Sequence, residues 1–291
     1  VEATAGAPAG DGGARLRDMN REVILGLREV LDEPSDVRDE WAHTDAVRWV
    51  ADYYDRIWVY GSADFFDPLA AIPMPVEVRE RIEYVGFLAR TVPGHPVPRD
   101  HSLPDDFILV TAGGGGDAAD LMRQVLATKA FDRANHHPFV LVLGPYMSLA
   151  EKSEIRARSA DLQDVYVLDF DNRLEELMAR ATAVIAMGGY NTFCELMSFD
   201  KRALIVPRTI PRKEQLIRAR RAAEFGLVDI LDPLEGKDPG RMAAAIQGLP
   251  RRQRPSEASY EIDLTGLDRI GAIVDEIRYW RSEAQHAEVS G

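Results

Sequence analysis

The sequence predicts an α/β protein built on parallel sheets, and three observations carry that prediction. Short apolar runs of four to seven residues recur along the chain without the alternation of a half-exposed strand, so they read as strands buried on both faces. Helical stretches separate most of them, which is the pattern of βαβ units. Glycine pairs or longer glycine runs follow two of the strands, at the carboxyl ends where ligands sit in such sheets.

The elements follow in order. After an Ala-, Gly- and Pro-rich lead-in to about Gly13, Arg21 to Leu27 (REVILGL) is an apolar run read as a buried strand. Asp32-Glu33-Pro34-Ser35 breaks the chain and can cap a helix over Asp36 to Asp55. Arg56 to Tyr60 reads as a second strand, Val76 to Arg81 as a short helix and Glu83 to Phe87 as a third strand. Thr91 to Pro104 holds four prolines and a glycine and marks a boundary. Beyond it, strands are expected at Phe107 to Thr111, Phe139 to Leu143, Val165 to Leu168, Ala183 to Ala186 and Ala203 to Val206. Helices are expected at Asp117 to Ala130, Leu149 to Ser159, Arg173 to Ala181, Thr192 to Phe199 and Glu214 to Phe225. After Arg254 the chain loosens, and Leu264 to Arg281 reads as an amphipathic terminal helix. The expected organisation is an N-terminal part over 1–90, a linker over 91–105, a second lobe over 106–250 and a tail over 251–291.

Composition narrows the function. The chain has 291 residues, 46% of them apolar and 29% charged, which is a globular balance. The net charge of −13 opposes a polyanionic partner, so no nucleic-acid role is expected. Cys194 is the one cysteine, so no internal disulfide forms; together with the absence of an apolar run long enough for a membrane span, this gives a cytoplasmic expectation.

Four stretches carry chemistry. Thr111 to Asp117 (TAGGGGD) lies between a strand and a helix, where glycines let backbone N–H groups converge on an anion; it is neither a P-loop nor G-x-G-x-x-G. Met187 to Leu196 (MGGYNTFCEL) repeats that logic, with Asn191 or Thr192 as helix cap. Glu195 there can accept paired hydrogen bonds from ribose hydroxyls, although a glutamate near a helix start also suits the helix dipole alone. Asp169-Phe170-Asp171 spells D-x-D, a metal-diphosphate signature, but the capping box Asn172–Glu175 explains the same residues. Arg208, Arg212 and Lys213 gather positive charge at a strand end, with Gln215 placed to bond sugar hydroxyls. His136 and His137 lack a third ligand at metal spacing, and no metal site or cofactor is expected. Trp41, Trp49 and Trp58 read as core or interface residues.

Together these residues resemble the glycosyltransferase family 28 C-terminal domain, over about Glu83 to Gly248, and Gly26 to Pro34 (GLREVLDEP) resembles a segment of a bacterial branch of that family. The resemblance implies a GT-B-like fold of two Rossmann-like lobes, acceptor in the first and nucleotide sugar in the second. It implies inverting, metal-independent transfer from a nucleoside-diphosphate sugar, UDP-linked in such proteins, to an acceptor hydroxyl, with membrane contact if the acceptor is a lipid. Glu195 matches the family's ribose-binding glutamate, Gln215 its sugar-contacting glutamine and Arg90 an arginine near the diphosphate. Phe170 falls where backbone meets the base, and Gly114, Gly115 and Gly116 match the first phosphate loop, with Gly115 in place of a serine; the residues themselves, not the resemblance, make Gly188, Gly189, Asn191 and Thr192 a second anion site. Arg28 and Asp32 are acceptor-side candidates, or simply a capping turn. The glycine-rich first turn of such enzymes is missing here, so the N-terminal lobe is expected to be partial, short by on the order of 100 residues, with the general base in that part. A nucleotide-sugar epimerase of the same fold and a non-catalytic nucleotide-sugar-binding protein remain as alternatives.

Overall fold

A computed structural model describes residues 22–92, 102–113, 118–132, 135–169 and 174–289, with side chains through 280. The chain divides into two compact units, one holding the described residues up to Ala89 and from Asp263 onward, the other Arg90–Ile262. The stretch 251–291, set apart as one tail by the sequence, is thus divided between them.

The first unit is a three-stranded parallel sheet in the order β1 (Ile24–Arg28), β2 (Arg56–Tyr60), β3 (Ile82–Tyr84). The single helix expected over Asp36 to Asp55 is two helices, α1 (Pro34–His43) and α2 (Ala46–Tyr53). The break falls at Thr44 and Asp45, where the Thr44 hydroxyl donates to the Glu40 carbonyl at 2.8 Å and Asp45 takes a left-handed φ of 53°. Thr and Asp are residues that compete with the helix backbone in this way. Proline opens α1, and its N-cap Glu33 makes no side-chain cap bond. Helix α3 (Val76–Arg79) precedes β3. The third strand is shorter than expected because Gly86 turns out of the sheet at φ 91°, where a Cβ would meet the Asp263 carboxylate. The Phe87 N–H then donates to the Asp263 carbonyl at 2.7 Å, which anchors the start of the terminal helix α10 (Gly266–Val289). Leu27, Val37, Val50, Ile57, Leu69, Ile72 and Val78 form the core, with Trp58 buried and Trp41 packed at its edge.

The second unit has six parallel strands: β4 (Ile108–Thr111), β5 (Phe139–Val142), β6 (Val165–Leu168), β7 (Ala183–Ala186), β8 (Ala203–Ile205) and β9 (Asp229–Ile230). Their spatial order is β6-β5-β4-β7-β8-β9. Strands β4, β5, β7 and β8 are buried throughout, as their uninterrupted apolar runs require. Helices α4 (Ala118–Phe131), α5 (Leu149–Ser159), α6 (Leu174–Arg180), α7 (Tyr190–Ser198), α8 (Glu214–Glu224) and α9 (Pro239–Gly248) alternate with them. α5 opens with a complete capping box between Ser148 and Glu151. β9 and α9 went unassigned in the sequence; β9 is two residues long, whereas Asp238, which caps α9 by accepting from Gly240 and Arg241, and Pro239 behind it were a readable start signal.

Candidate functional site

Strand order locates the site. From β4 the chain proceeds outward through β5 to β6, and from β7 it proceeds the other way through β8 to β9. β4 and β7 pair directly, with Thr111 opposite Ala186, so the turns leaving their carboxyl ends diverge and open a crevice. Both turns are the glycine-rich ones. Gly113 has φ 70°, and a Cβ built there would lie 3.5 Å from Thr192 Oγ1, so the β4 turn touches the start of α7. Gly114, Gly115, Gly116 and Phe170 lie outside the described residues, as do Asp171, Asn172 and Arg173.

The β7 turn is described in full. Gly188 has φ 78°, and a Cβ would lie 2.8 Å from Ile205 Cγ2, so both backbone and packing demand glycine. The N-cap of α7 is Gly189 rather than Asn191 or Thr192; those two sit inside the first turn, because the helix begins at Tyr190 and Phe193 N–H already donates to the Gly189 carbonyl at 2.8 Å. A cap without a side-chain oxygen leaves the first N–H groups of α7 to another partner, and the helix dipole favours an anion there.

One face of α7 carries Asn191, Glu195 and Ser198, spaced four and three residues apart, and Arg90 lies along it. Arg90 Nη2 donates to Asn191 Oδ1 at 2.9 Å, and the Arg90 backbone N–H donates to Ser198 Oγ at 2.9 Å. Arg90 Nε is buried without a hydrogen-bond partner among the described residues. Glu195 is 8% exposed, and its Oε2 likewise has no partner among them. Burial pushes its pKa up to about 7; the Glu175 carboxylate adds to the rise and the Arg90 cation opposes it. A buried carboxylate and a guanidinium with unspent hydrogen-bonding capacity, side by side, are groups arranged for a polar ligand.

Gln215, in the first turn of α8, is buried. Its Oε1 accepts the Arg208 backbone N–H at 3.2 Å, and its Nε2 lies 3.9 Å from where a Gly189 Cβ would be. The amide nitrogen is therefore presented to the β7 turn as a donor. Arg208 is tied to Glu214 at 3.2 Å, so part of the charge expected for phosphate is held within its own loop. Sequence reasoning missed Arg218, 1% exposed, whose Nη1 donates to the Gly188 carbonyl at 3.1 Å. It lies three residues beyond Gln215, on the same face of α8, but spacing alone does not separate it from the other arginines of that helix.

The remaining candidates fall elsewhere. Arg28 ends β1 and is exposed, and Asp32 is buried with its Oδ1 accepting the Glu33 N–H at 2.9 Å, both in the first unit. That bond is a local turn of the kind the sequence allowed. Cys194 is fully buried, a packed thiol, and His136 and His137 are exposed. Among the described residues no group of three His, Cys, Asp or Glu is placed to hold a metal ion, and no helix is long and apolar enough to cross a membrane.

Residues 107–231 match the glycosyltransferase family 28 C-terminal domain. Among curated proteins none matches the sequence. Among solved structures, the chain is similar to the glycotransferase of kitacinnamycin, at 16% identity and TM-score 0.55, covering 91% of this chain and 69% of that one. It is similar to a Listeria monocytogenes protein described as a UDP-N-acetylglucosamine 2-epimerase, at 9% identity and TM-score 0.58, covering 93% and 77%. It is also similar to S. aureus MnaA in a co-structure with UDP, at 12% identity and TM-score 0.60, covering 93% and 71%. At these identities the likeness is one of fold: the α/β, GT-B type with parallel sheets, here with three strands among the described residues of the first unit.

Proposed function

With residues 107–231 matching a family 28 C-terminal domain, we propose that this chain binds the donor of a glycosyltransferase that moves a sugar from a nucleoside diphosphate, UDP by preference, to an acceptor hydroxyl. The observation that carries the reading is the buried Glu195 carboxylate, with an oxygen unpartnered among the described residues, beside Arg90 at the point where strand order diverges. Glu195 accepts the two ribose hydroxyls, which supply the donors its Oε2 lacks. The N–H groups of Gly189 and the first turn of α7, together with Gly114 to Gly116, take the diphosphate. Arg90 turns its spare N–H toward the same charge, and Gln215 donates to a donor-sugar oxygen.

In the reaction an acceptor hydroxyl attacks the anomeric carbon from the face opposite the diphosphate, giving inversion, while a general base takes its proton. The bond to the diphosphate oxygen breaks, and the charge that develops there is met by helix N–H groups and Arg90. These groups do what a divalent ion would otherwise do, which is why the transfer is proposed to run without metal. Neither Arg28 nor Asp32 is assigned a catalytic step. The acceptor is left open; a lipid acceptor would bring the protein to a membrane surface, and a cytoplasmic location is proposed because that is where nucleotide sugars are made available.

Calorimetric titration with UDP, GDP and dTDP, with chelator present, tests the donor reading. Binding of one nucleotide that falls about tenfold or more in Glu195→Ala supports it. Binding to none, or binding indifferent to Glu195, sinks it. The similarity to a protein described as an epimerase favours one second reading, in which a UDP-sugar is epimerised. An epimerase converts UDP-N-acetylglucosamine with no acceptor present, so the sugar composition after incubation with that substrate alone separates the two.

A further inference from the structure

Arg218 is a fully buried cation on α8, 1% exposed, beneath the β7 turn. Its Nη1 donates to the Gly188 carbonyl at 3.1 Å, and its guanidinium carbon lies 5.7 Å from the centre of the Tyr190 ring. Burying a permanent charge is costly, so a guanidinium placed here has to return that cost through what it holds. Among what it holds is the peptide joining Gly188 to Gly189. A trans peptide is planar, with carbonyl and N–H on opposite sides. Fixing the Gly188 oxygen toward Arg218 therefore turns the Gly189 N–H away from it. Ile205 closes the same peptide from another side, since a Cβ at Gly188 would lie 2.8 Å from Ile205 Cγ2. The glycines that let this backbone approach a ligand also leave it free to rotate, and a flipped peptide would present a carbonyl to the anion in place of a donor.

We propose that Arg218 is a positioning residue for the donor diphosphate: it locks the Gly188–Gly189 peptide so that the Gly189 N–H faces the phosphate oxygens. The proposal rests on the nucleotide-site reading above. Its bond to the site runs through the turn, so its effect should fall on the diphosphate more than on the rest of the ligand. Glu195, which faces the ribose, does not depend on it.

The test compares the full chain with Arg218→Met and Arg218→Lys. The nucleoside diphosphate that binds best among UDP, dTDP and GDP is titrated alongside its own nucleoside, with thermal melting as a check on folding. Arg218→Met should weaken the diphosphate about tenfold and leave the nucleoside within about twofold, and Arg218→Lys, which keeps a charged donor, should recover most of the loss. Equal losses for both ligands, or no loss for either, would overturn the proposal. A second measurement needs no variant: the Gly189 amide signal of the unaltered chain, followed by NMR, should shift on titration with inorganic pyrophosphate, and an unmoved signal also overturns it. If the unaltered chain binds no nucleoside diphosphate, the donor reading itself has failed and takes this inference with it; if the chain binds and Arg218→Met is indifferent, only the inference is lost.

Discussion

The two edges of the six-stranded sheet treat buried polar groups in opposite ways. At the amino edge, Lys129 Nζ donates to the carbonyls of Asn135 and His137 at 2.6 and 3.0 Å, ahead of β5, and rests 5.1 Å from the ring centre of Phe139. Lys201 Nζ does the same for Ala179 and Ala181 at 2.6 and 3.0 Å, ahead of β7. Arg180, which has nitrogens without a hydrogen-bond partner among the described residues, lies over the Phe107 ring at 5.7 Å, so a π face offsets its charge. At the carboxyl edge, Glu195 Oε2, Arg90 Nε and Glu214 Oε2 are buried without a partner among the described residues, and Gly188 is held at a positive φ. One edge is closed by its own side chains, and the other is left open for a ligand to close. On the proposed reading, this sheet keeps stability at the amino edge and ligand binding at the carboxyl edge.

The largest effect that would test this division is loss of an amino-edge lysine. Lys129→Met removes the donor from two part-buried carbonyls and should cost about 2 kcal/mol of stability, read from denaturant unfolding. Nucleotide affinity at the other edge should not change. A comparable loss of affinity in a chain that still folds would mean that the edges are not separate.

Glu195 should behave the other way. Its carboxyl is pushed up to about 7 from an ordinary 4.5, so the folded state disfavours the charged form. The sign follows: the folded chain keeps this proton longer than the unfolded one, so its stability falls as pH rises from about 4.5 to about 7 and is level above that. Glu195→Gln should therefore melt higher than the unaltered chain at about pH 8, by about 2 kcal/mol, with the gain vanishing near pH 4.5. Ribose hydroxyls need the charged acceptor, so nucleotide affinity should rise about tenfold between about pH 6 and pH 8. In Glu195→Gln that part of the slope should be gone. A pH slope unchanged by the substitution would place the titrating group on the nucleotide.

The carboxyl-edge half of this contrast was legible in the sequence and the amino-edge half was not, for physical reasons. β2, α5, β6 and β7 sit where their apolar runs or capping box put them, because buried parallel strands and a complete cap are local signals. The one helix drawn over α1 and α2 was wrong because apolar periodicity continues through Thr44 and Asp45, while a single left-handed residue is enough to break it. Gly188 and Glu195 could be singled out from spacing, and Gly113 from the glycine run that contains it. Arg218 could not be told from any exposed arginine in a basic stretch of α8, since its role lies in reaching a carbonyl 30 residues away. The N-cap was misassigned for a related reason: Asn191 and Thr192 are good capping residues by type, but the turn was already made by glycine.

The smallest effect lies at the join between the two behaviours. Ser198 Oγ accepts the Arg90 backbone N–H at 2.9 Å, an ordinary structural bond of the closed kind, yet the residue it holds is one with donors to spare. Ser198→Ala removes that acceptor and leaves one partly buried N–H unpaired, which should cost about 1 kcal/mol. The Arg90 side chain keeps its bond to Asn191 Oδ1, so the guanidinium stays on the face of α7 and nucleotide affinity should fall only about twofold. Because Arg90 opposes the rise in the Glu195 pKa, a guanidinium that stays in place also leaves the pH midpoint of binding where it was. A fall of affinity beyond about tenfold, or a midpoint moved upward, would show that the backbone anchor, and not the Asn191 contact, sets where Arg90 points. The open edge would then depend on a bond of the closed kind, and the division drawn between the two edges would have to be redrawn at Arg90.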